Sequence, residues 1–317
     1  MTVHVVSLDN RGFHPKLEAK TKESIRQAGY SLGQPADITH FVRIVDTKKL
    51  YEDIKDDYSG MEYSFLMTGY SYILRNPEQE EAFLKLLELP QVRRVFINTS
   101  LPSSLSGFFV ERYGYVNDKI KIIFDLPFEN KEYFRSISRE EARKKLNIPE
   151  GQYVALYFGT YFFSKGADLL LEVAKELPEI DFYMVGDTKL ESFHYDIKTK
   201  TQSSNVHWID EYVSEDTARD YFRACDCVVM PYRRYYEHDP SGVFTEAMMC
   251  ERPVIVPDIM PFCDVLDVFD VGLEFETENN ESLKRVLNFK SEEDELYDEF
   301  DDYLNLMYGW EVIGENL

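Results

Sequence analysis

Residues 153–187 read YVALYFGTYFFSKGADLLLEVAKELPEIDFYMVGD, and this stretch decides the fold class. An apolar run ends at Gly159, a segment with helical spacing covers about 165–177, and a second apolar run, DFYMVG, covers 181–186. Short apolar strands that alternate with helices are typical of parallel α/β sheets. The stretch therefore predicts a strand–helix–strand unit, in which ligands bind at the loops that follow the strands.

The same alternation continues on both sides of this stretch. Towards the C-terminus, we predict a helix over about 188–200, the strand NVHWI (205–209), and then SEDTARDYFRA, CVVMPY, GVFTEAMMC and PVIV (253–256). Towards the N-terminus, the strand candidates are VHVVSL (3–8), ITHFVRIV (38–45), YSFLMTG (63–69), RRVFIN (93–98) and KIKIIF (119–124). Asn76 and Pro77 open the clearest helix between these strands, as cap and first residue. Two doubly wound parallel sheets are the predicted architecture.

The stretch 126–152 interrupts the alternation and divides the chain. It holds Pro127, a capping-box pair in Ser138 and Glu141, and a helix stop at Pro149 and Gly151. We predict one domain over 1–127 and another over 128–317, with a last helix at about 303–317 that crosses back to the first domain. A chain of 317 residues is long enough for two cores.

Composition excludes several classes of protein. With 44% hydrophobic and 29% charged residues, the chain is neither disordered nor fibrous. A formal net charge of −23 repels nucleic acid and anionic membranes, so at most peripheral membrane contact is expected. The sequence shows neither a signal peptide nor an apolar run of about 18 residues, which predicts a cytoplasmic protein, and the acidity suggests a salt-adapted organism. The four cysteines lack paired spacing and are predicted to be reduced, buried thiols.

Three loops after predicted strands of the second half carry candidate binding residues. In GTYFFSKG (159–166), Lys165 stands at a helix start, where an ammonium and free amides can hold phosphate. In MPYRRYYEHDPSGVFTEAM (230–248), Ser241 and Gly242 can open a helix, and Glu246 lies about 6 Å further along its axis. A diphosphate at the amides would place its ribose near that carboxylate. VGD (185–187) and WIDEYV (208–213) can line a base pocket. Each loop taken alone is also compatible with an ordinary surface turn.

The order of these segments resembles the donor-sugar half of retaining glycosyltransferases of family 4, which have the GT-B fold of two Rossmann-like domains facing a central cleft. The resemblance covers about 119–317 and includes NVHWIDEYVSEDTARDYFRACDCVVMPY, PSGVFTEAMMCERPVIV and the terminal WEVIGEN. It implies that Lys165 contacts the donor diphosphate and that Glu246 holds the nucleotide ribose. The other donor-side candidates are Gly159, Thr160, Gly186, Asp187, Ile209, Tyr212, Arg233, Arg234, Ser241, Gly242 and Val243.

Two positions depart from the family pattern. Thr160 stands where the family usually has an arginine, and His238 stands at the first of two glutamate positions, with Glu237 one place early. Arg233 or Arg234 could supply the missing charge. His238 is kept as a catalytic candidate because histidine can exchange protons near neutral pH.

The resemblance implies transfer of a hexose from a UDP- or GDP-linked donor to a hydroxyl of a glycan, lipid carrier or small molecule. Configuration would be retained, and neither a metal nor a further cofactor would be needed. Acceptor-side candidates at strand ends of the first domain are Arg11, Gly12, His14, Tyr70 and Asn98. Two other readings stay open: a nucleotide-sugar-binding protein without transferase activity, and a GT-B epimerase or phosphorylase.

Overall fold

The computed structural model describes residues 1–7, 14–44, 46–125, 127–187, 203–292, 297–307 and 309–317. The chain divides into two compact units. Unit 1 comprises Met1–Phe128, His238–Pro240 and Met307–Leu317, and unit 2 comprises Glu129–Glu237 and Ser241–Leu306.

The described strands and helices follow the predicted alternation. The strands are β1 (Thr2–Ser7), β2 (Ser31–Leu32), β3 (Ile38–Val42), β4 (Glu62–Met67), β5 (Val92–Thr99), β6 (Ile120–Phe124), β7 (Tyr153–Phe158), β8 (Ile180–Val185), β9 (Val206–Ile209), β10 (Cys227–Val229), β11 (Val254–Pro257) and β12 (Gly272–Phe275). The helices are α1 (His14–Gln27), α2 (Thr47–Ile54), α3 (Tyr70–Leu74), α4 (Pro77–Glu88), α5 (Pro102–Tyr113), α6 (Lys131–Phe134), α7 (Arg139–Leu146), α8 (Ala167–Ala174), α9 (Glu215–Ala224), α10 (Gly242–Met249), α11 (Phe262–Leu266), α12 (Asn280–Glu292), α13 (Phe300–Leu306) and α14 (Glu311–Glu315).

Unit 1 is built on a parallel sheet with the strand order β2-β1-β3-β4-β5-β6. Side chains alternate between the two faces of each strand, so each face has its own apolar cluster. On one face, Val95 and Ile97 pack with side chains of α4 and α5. On the other face, Phe96 and Ile123 pack with α1 and α14. The C-terminal helix α14 therefore belongs to the core of unit 1.

Unit 2 has the parallel strand order β12-β11-β10-β7-β8-β9. Its first strand, β7, lies between β8 and β10, so the chain winds outwards in both directions from the β7–β10 pair. In doubly wound sheets of this order, ligands bind at the carboxyl ends of the strands where the winding direction reverses. In unit 2, this point lies between the loop after β7 and the loop after β10.

Several local predictions are confirmed. The Asn76 side chain accepts from the amides of Glu78 and Gln79 at the start of α4. Ser138 and Glu141 form the predicted capping box. Cys225, Cys227 and Cys250 are buried free thiols, while Cys263 is a free thiol that is half-buried.

Two predicted helices need separate comment. The single last helix predicted at about 303–317 is wrong, because two short helices, Phe300–Leu306 and Glu311–Glu315, stand in that region. The helix predicted over 188–200 lies outside the described residues. None of the described helices combines the length and the apolar character that crossing a membrane requires.

Of the stretch 126–152 that was predicted to divide the chain, residues 129–152 are part of unit 2. In α7, Arg143 is fully buried, and its guanidinium donates to the carbonyl of Ala224 at 2.9 Å and to the carboxylate of Asp226 at 2.8 Å. The Asp226 carboxylate also accepts from the Val154 amide at 2.7 Å. These contacts tie α7 to the end of α9 and to the first residues of β7.

Candidate functional site

Lys165 and the first turn of α10 meet at one point beside Gly159. The position that a β-carbon on Gly159 would occupy lies 3.1 Å from Lys165 Nζ and 3.9 Å from Val243 Cγ2. Gly159 has a φ of +113°, in the left-handed region that favours glycine. The missing side chain therefore leaves a small space that both the Lys165 ammonium and the start of a helix approach.

The turn that carries Lys165 is fixed against the loop after β10. Phe163–Lys165 form a 3₁₀ turn, so Lys165 lies two positions before the first residue of α8, at a slightly different place from the predicted helix start. The Arg233 amide donates to the Ser164 carbonyl at 2.8 Å. Gly166 has a φ of +61°, and a β-carbon there would lie 1.9 Å from the Pro231 carbonyl oxygen. The backbones are thus close enough that only glycine fits at 166.

Arg233 is a buried support for the same turn. Its guanidinium binds both carboxylate oxygens of Asp168, at 2.9 and 2.7 Å, and donates to the Phe163 carbonyl at 2.6 Å. It also lies 3.9 Å from the centroid of the Phe163 ring. Only 7% of Arg233 is exposed, whereas the Arg234 side chain is 56% exposed. Of the two arginines predicted to reach the donor, Arg233 is occupied in holding the Lys165 turn.

The start of α10 keeps its first amides available. Ser241 is the N-cap residue, but its side chain makes no capping bond in the described structure. Its hydroxyl lies 3.1 Å from the Tyr232 hydroxyl instead. The first intrahelical bonds run from the amides of Phe244 and Thr245 to the Ser241 carbonyl, so Gly242 and Val243 precede the bonded ladder. A β-carbon on Gly242 would have no atom of the described part of the chain within 4 Å, so those residues leave the space beside it open.

Tyr232 connects the two halves of this arrangement. Tyr232 was not among the binding residues predicted from the sequence, although it directly follows Pro231 at the end of the predicted strand. Its ring lies 5.3 Å from Lys165 Nζ, its hydroxyl meets Ser241, and it is 1% exposed. A buried ring beneath an ammonium restricts where the charge can lie and attracts it through its π face.

The remaining donor-side candidates lie near the ends of β7, β8 and β9. The Gly159 amide donates to the Val185 carbonyl at 2.9 Å, and the Gly186 amide donates to the Ile209 carbonyl at 3.0 Å. The structure therefore brings Gly159, Gly186 and Ile209 side by side. The side chains of Asp187 and Glu246 are half-buried, whereas Tyr212 is 71% exposed.

The two positions that depart from the family pattern lie in different units. Thr160 is in unit 2, where its carbonyl accepts from the Tyr157 hydroxyl at 3.0 Å. His238 belongs to unit 1, where its ring lies 4.2 Å from the Phe108 ring centroid to centroid. Its φ of +73° is uncommon for a residue with a side chain. The catalytic role predicted for His238 stays a prediction.

The acceptor-side candidates have different surroundings in unit 1. Tyr70 is 1% exposed and stacks on Phe109 at 5.2 Å, so its side chain serves the core. Arg11 and Gly12 lie outside the described residues, as does the side chain of His14. Asn98 is 8% exposed and donates to the Asp125 carboxylate at 2.7 Å. Burial raises the pKa of Asp125 to about 6, and the bond from Asn98 acts in the opposite direction.

Asp168, Tyr232 and Asp125 were not predicted from the sequence. In the sequence, Asp168 looks like an ordinary acid in the first turn of a helix. Its partner Arg233 is 65 positions away, so no local pattern indicates the pair. Asp125 follows the strand run KIKIIF, and its position at a strand end was the available signal.

The family profile described as "Glycosyl transferases group 1" matches residues 138–305, which is more than half of the chain. The chain belongs to this family. The matched range includes Lys165, the start of α10 and Glu246, so the convergence described above lies in the segment that defines the family.

Curated relatives of this glycosyltransferase chain share about a quarter of their aligned residues with it. The α-galactosylglucosyldiacylglycerol synthase of Streptococcus pneumoniae is 26% identical over 257 residues, which are 75% of this chain and 63% of that protein. The processive diacylglycerol α-glucosyltransferase of Acholeplasma laidlawii is 25% identical over 167 residues, 52% of this chain and 49% of that protein. The chain thus spans less than two thirds of the length of either relative.

A solved structure confirms the GT-B fold class. The crystal structure of Anabaena HepE, determined in complex with UDP, is similar with a TM-score of 0.73 at 13% identity. The similarity covers 99% of this chain and 98% of HepE. Since identity is low, the comparison carries the fold alone.

Proposed function

We propose that this group 1 glycosyltransferase transfers a hexose from a nucleotide diphosphate sugar to an acceptor hydroxyl, with retention of configuration. One observation carries the proposal: Lys165 Nζ and Val243 in the first turn of α10 both approach the space left by the missing side chain of Gly159, at 3.1 and 3.9 Å. This space is at the point of unit 2 where the winding direction of the sheet reverses.

A cation and a helix N-terminus that face one space form a site for an anion. The helix end carries about half a positive charge, and the amides of Gly242 and Val243 can donate to phosphate oxygens. The Lys165 ammonium adds a full charge beside them. A diphosphate offers enough oxygens to use both groups together.

The nucleoside would extend from this diphosphate over neighbouring elements of unit 2. Glu246 lies one turn into α10, about 6 Å along the axis from Gly242, where its carboxylate can accept from two ribose hydroxyls. The backbone around Gly186 and Ile209 at the ends of β8 and β9 would line the base pocket.

The reaction breaks the bond between the sugar's anomeric carbon and the diphosphate oxygen and forms a bond from that carbon to the acceptor oxygen. Negative charge collects on the departing diphosphate, and Lys165 and the amides of α10 stabilise it in place. In the retaining course, the acceptor attacks from the face that the diphosphate leaves, and a phosphate oxygen takes the acceptor proton. We expect this charge stabilisation to suffice without a metal, so turnover should survive EDTA.

The comparisons support a uridine nucleotide as the first donor to test. HepE was crystallised with UDP and also with UDP-glucose, at TM-scores of 0.73 and 0.71 to this chain. The names of the two curated relatives support including diacylglycerol and glycosyl-diacylglycerol among the acceptors tested.

The decisive experiment replaces Lys165 and a matched lysine. We expect Lys165→Ala to weaken UDP-sugar binding or turnover by about 1.5–3 kcal/mol, the range for a lost hydrogen bond to a charged group. Lys175→Ala, at the end of α8, removes an exposed lysine paired with Glu172 and should leave both unchanged. Equal donor affinity and turnover in wild type and Lys165→Ala would refute the assignment.

A turnover assay separates a transferase from a protein that only binds nucleotide sugars. The full chain is incubated with UDP-glucose or GDP-mannose and the acceptor panel, and release of UDP or GDP is followed. Nucleotide binding with donor consumption supports the transferase, whereas binding without consumption by any acceptor supports the binding protein.

A further inference from the structure

Asn98 and Asp125 form a polar pair at the carboxyl ends of two neighbouring strands of unit 1. Asn98 lies near the end of β5 and pairs with Ile123 of β6, while Asp125 is the first residue after β6. The Asp125 amide donates to the Thr99 carbonyl at 2.8 Å, so both side chains stand on a fixed backbone. Two residues upstream, Phe96 and Ile123 point to the face covered by α1 and α14. Period-two alternation places Asn98 and Asp125 on that same face.

The hydrogen bond within the pair fixes the orientation of the Asn98 amide. An ionised carboxylate only accepts, so the NH₂ group of Asn98 must face Asp125 Oδ1, at 2.7 Å. Asn98 Oδ1 is thereby directed away from Asp125. This oxygen is buried and has no hydrogen-bond partner among the described residues, on a residue that is only 8% exposed. A buried acceptor without a partner costs folding free energy and is uncommon in native proteins.

The backbone pairing alone already joins the two strands. Val95 to Thr99 run in register with Ile120 to Phe124, so the Asn98–Asp125 bond adds little to strand association. A pair of side chains with a purely structural role would also be expected to use all of its acceptors in hydrogen bonds. The pair is better explained by a ligand that completes it.

The chemistry of that ligand follows from the groups that remain. Asn98 Oδ1 is an acceptor, and the carboxylate of Asp125 has further lone pairs beyond the one that Asn98 uses. A ligand must therefore bring two donors a few ångströms apart. Neighbouring hydroxyls of a sugar ring meet this requirement, whereas a bare diacylglycerol has a single hydroxyl.

We propose that Asn98 and Asp125 bind two neighbouring hydroxyls of the acceptor, so that the acceptor is a sugar or glycosylated molecule. The proposal rests on the proposed function, because it assigns the acceptor class of that same transferase. Both residues are acceptor-binding residues, and no proton transfer is assigned to either.

The first test is direct binding to the full chain without a donor. Saturation-transfer NMR is recorded with methyl α-glucoside, methyl α-galactoside and glycerol, with ethanolamine as a cationic comparison. Wild type should bind at least one methyl glycoside. Asp125→Asn and Asn98→Ala should each weaken that binding about 10- to 100-fold, since each removes a hydrogen bond to the ligand. Asp118→Asn is the matched control, because Asp118 is an exposed acid just before β6.

The second test is turnover with UDP-glucose. Both variants should raise the acceptor KM with little change in the KM for the donor, and the thermal shift produced by UDP should equal that of wild type. Preference for glycosyl-diacylglycerol over diacylglycerol should disappear in Asp125→Asn.

The outcomes separate this inference from the proposed function. If wild type shows no thermal shift with UDP, GDP or their sugars, the proposed function fails. Suppose the thermal shift with nucleotide is present. If wild type then binds no glycoside, or binds the glycosides no better than the variants do, the inference alone fails. Tighter binding of ethanolamine than of any glycoside would also overturn it. Loss of folding in both variants, with wild-type glycoside binding absent, would assign the pair a structural role.

Discussion

Gly166→Ala tests whether the close approach of two loops holds the Lys165 turn. The added β-carbon would lie 1.9 Å from the Pro231 carbonyl oxygen and 3.0 Å from its carbonyl carbon, both rigid backbone atoms. The left-handed φ of +61° costs a residue with a β-carbon about 1–2 kcal/mol. Overpacking against backbone adds about 1–3 kcal/mol. We therefore expect the free energy of unfolding to fall by about 2–5 kcal/mol, and UDP-sugar affinity to fall as Lys165 moves.

Two glycines of the same chain separate the two contributions. Gly60 has a φ of +85° with no atom within 4 Å of a β-carbon, so Gly60→Ala should cost about 1–2 kcal/mol for the backbone conformation alone. Gly151 has open space and no left-handed φ, so Gly151→Ala should be neutral or slightly stabilising. Urea unfolding of the four proteins, followed by circular dichroism, gives the comparison. If Gly166→Ala costs no more than Gly60→Ala, the contact with Pro231 contributes nothing and the account of the Lys165 turn is wrong.

Three further variants test buried charged or titratable groups. His40 is fully buried, and burial lowers the pKa of its imidazole from 6.5 to about 3. The folded protein therefore keeps His40 neutral, and the free energy of unfolding should fall by about 1.4 kcal/mol for each pH unit below 6.5. His40→Asn should remove that part of the pH dependence in urea titrations at pH 7.5 and 5.5. Arg233→Ala should lower the free energy of unfolding by about 2–4 kcal/mol, because it leaves Asp168 without its bidentate partner. Arg234→Ala, at an exposed arginine, should change the free energy of unfolding by no more than about 0.5 kcal/mol. Equal effects of the two substitutions would contradict the support role of Arg233. Burial raises the pKa of Asp125 from 3.8 to about 6, so stability falls as the pH rises from about 3.8 to 6 and the full cost of up to about 3 kcal/mol is present above pH 6. Asp125→Asn should therefore stabilise the protein at pH 8 by up to that amount. A lower melting temperature of the variant would instead favour a purely structural role for the pair.

The fold and the centre of the site could be predicted because they depend on local sequence patterns. The alternation of strands and helices gave both parallel sheets, and parallel strands end at one edge. Lys165, Gly159 and Gly242 follow strands that become neighbours, β7 and β10, so their meeting followed from topology. Caps such as Asn76 were predicted because they depend on residues two or three positions away.

Other features depend on partners that are distant in sequence. The burial of Arg233 requires Asp168, and that of Arg143 requires Asp226, and neither pair has a periodic signature. Composition also did not predict the break in the last helix, between Leu306 and Glu311. The helix is divided there because α13 packs in unit 2 while α14 packs in unit 1. Tertiary contacts overrode helical spacing there.

Buried polar groups in this chain differ in what they indicate, and the difference lies in their position along the strand. His40 Nδ1 lies 2.6 Å from the Ser64 hydroxyl of the neighbouring strand, in the middle of the sheet, where a ligand has no approach. Asn98 is 8% exposed against 0% for His40, and each side chain has one buried atom without a partner among the described residues, but Asn98 stands at a strand end with a carboxylate beside it. Natural sequences tolerate such a cost mainly where binding repays it. The position of an unsatisfied group relative to the carboxyl edge of the sheet, rather than its burial alone, therefore distinguishes a core polar residue from a ligand contact.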